Sequence, residues 1–274
     1  MKAIDMNITD KEFKQLTDFV KQNYGINLTE KRTLVMGRLQ NVLLQKNFTS
    51  YQQYIDYVTG DRTGEAITIL VNKLTTNHTF FLRENSHFQY FRSQVLPYLK
   101  AAATNKDLRI WSAGCSTGEE PYTLAMIIAD FFGAEKALWD ARILATDISQ
   151  RVLQIAEKGV YQNEQLTQVS DGWKRGFFVK VDSECSRVND KIRNEVIFRL
   201  FNLNNKTFPF QKKFHVIFCR NVMIYFDNQT KGELVKRFYE HLEPGGYFFI
   251  GHSESLNRDE TSFRYIAPSI YRKE

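Results

Sequence analysis

The run Arg109-Ile110-Trp111-Ser112-Ala113-Gly114-Cys115-Ser116-Thr117-Gly118-Glu119-Glu120-Pro121-Tyr122 decides the fold. It reads as a buried strand, a tight glycine-containing turn, and a helix with proline in its first turn. Doubly wound α/β domains hold a nucleotide-like ligand at such a junction. Gly114 and Gly118 allow close approach of backbone to a ligand, at a spacing that departs from the G-x-G-x-x-G dinucleotide fingerprint. Glu119 and Glu120 stand where a pyrophosphate would dock. A helix N-terminus attracts phosphate, but two adjacent carboxylates repel it. The junction therefore suits an adenosine-containing cofactor that lacks phosphates and can carry positive charge.

Downstream of this run, strands alternate with helices. Strands are expected at Leu108–Ser112, Arg142–Thr146, Val196–Phe201, Phe214–Phe218 and Tyr247–Ile250, and helices at Pro121–Phe132, Ser149–Lys158 and Gln229–Leu242. Phe263–Ile266, a Pro268-Ser269 turn and Ile270–Arg272 form a hairpin whose last strand fits antiparallel beside Tyr247–Ile250. Residues 161 to about 195 are too long for a simple crossover and read as a small β insertion, with Phe177–Val181 as one strand. Insertions on a rigid scaffold often carry partner recognition.

Upstream, the pattern is helical only. Thr9 and Glu12 form a capping box ahead of Phe13, Leu16 and Val20, and Gly25 ends that helix. Asn27 and Glu30 are expected to start a second helix through Leu34, Leu39, Val42 and Leu43. Ser50 and Gln53 cap a third, and Ala66, Ile67, Leu70, Val71 and Leu74 mark a fourth. A polar break, Thr75-Thr76-Asn77-His78-Thr79, precedes a linker helix that carries Phe88, Phe91, Val95 and Leu96. The expected organisation is a helical domain over 1–80, a linker over 81–107 and an α/β domain over 108–274.

Composition narrows the class. The chain has 274 residues, 43% of them hydrophobic, enough for a substantial core. No apolar run approaches the ~18 residues of a membrane span, and Met1–Asn7 lacks the apolar stretch of a signal peptide. Three dispersed cysteines argue for a reducing compartment and a cytoplasmic protein. The net charge of +6 is not gathered in a tail. The chain has no Asn-Pro-Pro-Tyr-like or Pro-Cys motif of enzymes that modify nucleic-acid bases, and no nucleic-acid partner is expected. The five histidines show no local metal-binding spacing, so no metal is expected. Gly251-His252-Ser253-Glu254-Ser255 faintly resembles a hydrolase elbow, but no histidine follows it, which excludes that chemistry.

Candidate site residues lie at strand ends. Asp147 closes the second strand, where a carboxylate accepts both ribose hydroxyls; capping the next helix is its alternative role. Arg220, Asn221 and Tyr225 are polar residues in an otherwise apolar run after the Phe214–Phe218 strand.

These motifs, in this order, resemble the bacterial chemotaxis receptor methyltransferases. The resemblance spans Thr75–Glu84, Ser116–Tyr122, Ala145–Ile148, Asn202-Leu203, Cys219–Phe226 and Gly251–Glu254. It implies a Rossmann-like class I methyltransferase domain with a small β-subdomain insertion, preceded by an all-helical domain. It implies S-adenosylmethionine as cofactor, S-adenosylhomocysteine as product, and cofactor contacts from Asn77, Thr79, Arg83, Glu120, Asp147, Asn202, Leu203, Arg220 and Asn221. Arg83 and Tyr225 are the positions expected nearest the transferred methyl, with a structural ion pair to a carboxylate such as Glu84 as the alternative for Arg83. The implied substrates are glutamates on the cytoplasmic helical bundle of a chemoreceptor, and in some members the β insertion also docks a receptor C-terminal peptide. A monomer is expected. Lys31 and Arg38, seven residues apart with Arg32 nearby, would offer a basic helix face to an acidic receptor surface.

Overall fold

The computed structural model describes residues 7–75, 77–103, 105–257 and 259–274. Most of the N-terminal stretch, Met1–Met6, lies outside them, as does Thr76 of the polar break. The chain forms two compact units: Met1–Thr76 with Tyr225–Thr230, and Asn77–Ile224 with Lys231–Glu274.

The first unit is built from α1 (Asp10–Tyr24), α2 (Arg32–Gln45), α3 (Tyr51–Gly60) and α4 (Glu65–Leu74). The capping box of Thr9 and Glu12 is present, and Gly25 ends α1 in the left-handed region at φ 73°. Ser50 caps α3 by accepting from the Gln53 amide. The start of α2 differs from expectation. Asn27 instead accepts from the amide and hydroxyl of Thr29, an Asx-type turn, and α2 begins five residues later with no side-chain cap. The core gathers Leu16, Val20, Leu39, Leu43, Tyr54, Ile55 and Leu70. The segment 225–230 is stitched into this unit. The Asn27 amide donates to the Tyr225 carbonyl at 2.8 Å, Ile26 bridges to Phe226, and Lys21 pairs with Asp227 at 2.6 Å. The basic residues are partly spent inside the unit. Lys31 precedes α2 and lies over the Tyr225 ring, Arg32 reaches Asp10, and Arg38 donates to the Leu74 carbonyl at the end of α4.

The second unit opens with α5 (Asn85–Tyr90), a π turn (Phe91–Val95) and α6 (Leu96–Ala102), the expected linker helix. Alternation then follows. It runs β1 (Ile110–Ala113), α7 (Glu119–Phe132), β2 (Ile143–Asp147), α8 (Gln150–Lys158), β3 (Val160–Gln162), α9 (Asp171–Phe177), β4 (Phe178–Lys180), β5 (Cys185–Val188) and α10 (Asp190–Arg193). It finishes with β6 (Val196–Leu200), β7 (Phe214–Cys219), α11 (Asn228–Glu240, in this unit from Lys231 onward), β8 (Leu242–Ile250), β9 (Arg264–Ala267) and β10 (Ile270–Arg272).

The main sheet has the order β6-β2-β1-β7-β8-β10-β9. Its first five strands are parallel, and β10 runs antiparallel to both β8 and β9, the hairpin expected. β1 is buried along its whole length, because parallel strands are covered on both faces. On one face Trp111 meets Phe208, Phe214 and Phe238; elsewhere in the core Phe218 stacks on Phe249 with centroids 4.3 Å apart. The insertion is a separate sheet, β3-β5-β4, with α9 leading into β4. Among the described residues no helix is long and apolar enough to cross a membrane.

Candidate active site

The order reverses between β1 and β7, with β2 and β6 continuing on one side and β8 on the other, so ligands belong at the carboxyl ends of these strands. The turn after β1 reaches this edge through Gly114 and Gly118, at φ 85° and 97°. A side chain at Gly114 would overlap Val222, and one at Gly118 would press on Ala156. Four side-chain-bearing residues around the edge also hold left-handed backbone: Leu82, Glu84, Ser116 and Asn221, at φ 62°, 56°, 49° and 58°. Such conformations cost roughly 1–3 kcal/mol each and cluster at functional sites.

The two acids of the opening motif divide. Glu119 is 1% exposed and faces inward, accepting from the Thr117 hydroxyl at 2.7 Å, and burial raises its carboxyl above the ordinary range. Glu120 faces the edge, where it accepts from the Ser112 hydroxyl at 2.7 Å and from Arg220 at 3.0 Å. Asp147 accepts from the Ser116 amide and the Ser149 amide, both at 2.9 Å. It does not cap α8; the Ser149 side chain does. Burial raises the Asp147 carboxyl, against the pull of its backbone donors. Each of its oxygens has a second lone pair for a ligand hydroxyl.

Arg220, whose side chain is 2% exposed, is the hub. It donates to Glu120, to Glu84 at 3.1 Å and to the Arg83 carbonyl, and its guanidinium lies over the Phe88 ring. The charge of Arg220 and donors from Asn221 and His252 hold Glu84 below the usual carboxylate range, although burial opposes them. Asn221 donates its side-chain amide to Glu84 at 3.2 Å and its backbone amide to Glu254 at 3.0 Å. Glu254 also accepts from Ile224 and Gly251, so one buried carboxylate ties the loop after β7 to the loop after β8.

The other expected residues fall as follows. The Asn77 carbonyl accepts from the Ser116 hydroxyl at 3.1 Å, which joins the segment 77–84 to the turn after β1. Thr79 is half-buried in that segment. Arg83 donates to the His78 carbonyl at 2.6 Å and its guanidinium lies 5.9 Å from the Phe80 centroid; Glu84 pairs with Arg220, so the Arg83–Glu84 alternative does not hold. Asn202 and Leu203 follow β6, where the Phe201 amide donates to the Asp147 carbonyl. The Leu203 side chain is buried and its carbonyl accepts from Arg237. Asn77, Thr79, Arg83, Glu120, Asp147, Asn202, Leu203, Arg220 and Asn221 thus all belong to the second unit, whereas Tyr225 belongs to the first.

Glu84, His87, His252 and Glu254 are not singled out as site residues by the sequence. The first three place one potential ligand atom each within 4.8 Å of one another, a grouping that local spacing could not reveal because 165 positions separate the histidines. The Glu84 carboxylate in that group is committed to Arg220, Asn221 and the His252 amide. Glu254 was legible only as the end of the Gly251–Glu254 motif, in the loop that follows the last parallel strand.

Among the described residues, Arg220 at this edge is engaged by the carboxylates of Glu84 and Glu120, an arrangement that disfavours phosphate. It suits a ligand with hydroxyls and positive charge. Two family models match the chain: "CheR methyltransferase, SAM binding domain" over residues 77–271 and "CheR methyltransferase, all-alpha domain" over residues 11–75. The chain is 38% identical to a chemotaxis protein methyltransferase of Borreliella burgdorferi, over 98% of this chain and 96% of that one. It is 33% identical to the chemotaxis protein methyltransferase of Escherichia coli, over 96% and 91%. A probable chemotaxis protein methyltransferase of Rhizobium etli is 36% identical over 91% and 97%.

Proposed function

The chain belongs to the CheR methyltransferase family, and from that premise we propose that it methylates glutamate side chains of chemoreceptors, using S-adenosylmethionine. The observation that carries this reading is the convergence of Glu120, Asp147, Arg220 and Asn221 on one sheet edge, in an arrangement that disfavours phosphate. In this reading Asp147 receives the ribose hydroxyls. Asn77, Thr79, Arg83, Glu120, Asn202, Leu203, Arg220 and Asn221 complete the cofactor's surroundings, and Arg83 and Tyr225 lie nearest the methyl. The protein acts as a cytoplasmic monomer on the helical bundle of a receptor. A receptor C-terminal peptide would dock on the insertion, where Lys174, Arg175, Lys180 and Phe178 line a cleft.

The cofactor, when bound, supplies an electrophilic methyl on a sulfonium. A glutamate side chain is already ionised at neutral pH, with an ordinary pKa of about 4.3, so no general base is needed. Carboxylate and sulfonium charges cancel toward the transition state. The work left to the protein is alignment and exclusion of water. Phe80 and the Arg83 beside it fit those two tasks, the fork of Arg83 orienting a carboxylate.

Incubation of the protein with labelled S-adenosylmethionine and receptor cytoplasmic fragments, followed by peptide mapping, tests the reading. Label on glutamates that mild alkali releases as a volatile product is expected; alkali-stable label, or none, sinks it. Asp147→Ala should weaken S-adenosylhomocysteine binding about 100-fold by calorimetry, through loss of two charge-assisted hydrogen bonds. Arg83→Ala should lower kcat at least tenfold with a cofactor affinity changed less than about fivefold, the pattern of an interaction made mainly in the transition state. Unchanged methyl incorporation by that variant would remove Arg83 from the chemistry.

A further inference from the structure

We infer that Tyr161, a residue of the β insertion, is a positioning residue for the cofactor turn Thr117–Glu120; the inference rests on the cofactor reading above. The chain leaves α8 at Gly159, and Tyr161 is the middle residue of β3, paired with Ser186 of β5. Its side chain reaches out of the insertion. The hydroxyl donates to the Thr117 carbonyl at 2.7 Å, and the residue is 2% exposed. A Cβ on Gly118 would sit 3.1 Å from that hydroxyl, so the tyrosine forms part of the floor under the turn. The ring stands edge-on to Phe81 at 4.9 Å, and Phe81 in turn meets Phe178 of β4 at 5.6 Å.

Three segments therefore converge on one side chain: the turn after β1, the segment 77–84 and the insertion sheet. Burial pushes the phenol well above its ordinary pKa, so it remains a donor. Fixing the Thr117 carbonyl fixes the plane of the Thr117–Gly118 peptide, whose amide donates to the Cys115 carbonyl at 3.1 Å and whose Gly118 is the residue from which α7 departs. Loss of this bond should loosen ground-state cofactor binding and leave the chemical step intact.

Tyr161→Phe in the full chain keeps the ring and removes the bond. Tyr122→Phe is the matched control, because its equally buried hydroxyl donates to the Ala156 carbonyl at 2.7 Å and not to the turn. Binding of S-adenosylhomocysteine by the unaltered protein comes first; its absence overturns the cofactor reading and this inference together. Given that binding, Tyr161→Phe should raise the dissociation constant and the KM for S-adenosylmethionine about tenfold, with kcat within about threefold. Tyr122→Phe should leave both within about twofold while lowering the melting temperature similarly. A KM for Tyr161→Phe within twofold of the unaltered protein, or an equal rise in both variants, overturns the inference alone. A second readout needs no variant: S-adenosylhomocysteine should slow amide exchange in β3 and β5 as well as in the turn. Unchanged exchange in β3 and β5 also overturns it.

Discussion

Arg220→Met should lower the stability of the protein by about 3–5 kcal/mol, the cost of removing one partner from a buried ion-pair group. The guanidinium is almost fully enclosed and holds Glu84 and Glu120 at 3.1 and 3.0 Å. Without it, two carboxylates remain in a partly dehydrated pocket, and the Arg83 carbonyl loses a donor as well. For a unit of this size that corresponds to a melting temperature lower by about 10 °C. Methionine fills the volume over the Phe88 ring, so the loss reports charge and hydrogen bonds more than a cavity. Adding Glu84→Gln should recover part of the loss, because the leftover charge is a large share of the penalty. Arg220→Lys should fall between, since one ammonium cannot fork to two carboxylates. A melting point within about 2 °C of the unaltered protein would mean that Glu84 and Glu120 do not depend on Arg220.

The second large effect is on acid stability. His87 is 1% exposed, and burial together with the nearby Arg220 charge pulls its imidazole down to about 3. Both ring nitrogens lack a hydrogen bond; the Glu84 charge, 3.5 Å from one of them, and a weaker influence of the Pro268 carbonyl favour the charged form but do not offset burial. An unfolded histidine takes up its proton near pH 6.5, and the folded one does so only near 3. The unfolded state therefore binds more protons throughout that window, and stability is lost as pH falls. The slope is about 1.4 kcal/mol per pH unit from this residue alone. Denaturant titrations at pH 6.5 and 4.5 should show His87→Phe losing about 2.5 kcal/mol less than the unaltered protein over that interval. Parallel losses in the two proteins would show that His87 charges in the folded state, and would place its partner among Glu84 and His252.

Local grammar carried most of the fold. The capping box at Thr9 and Glu12, the stop at Gly25 and the apolar runs at 110–113 and 214–219 are short-range signals that tertiary packing reinforces. Where two local uses compete for one residue, pattern alone does not choose. Asn27 serves a turn and not a helix cap, and Asp147 braces two loops while Ser149 takes the cap. At the site, residues next to regular elements were legible because strand ends announce themselves. Their partners were not, since Glu84 meets Arg220 across 136 positions and Glu254 meets Asn221 across 33. Tyr225 shows the same limit. It is five residues from Arg220 in sequence, yet its carbonyl and the bridge beside it tie it to the helical unit.

The four left-handed residues around the sheet edge have a consequence for how this chain can change over time. Leu82, Glu84, Ser116 and Asn221 each occupy backbone that an L side chain enters reluctantly and that glycine, and to a lesser degree asparagine, enters freely. Substitutions there face two filters at once, the chemistry of the side chain and the geometry of the main chain. Drift at Leu82 and Ser116 is channelled toward glycine or asparagine, the second of which Asn221 already is. At Glu84 the carboxylate is needed by Arg220, so neither escape is open, and the chain must keep both the residue and its strain.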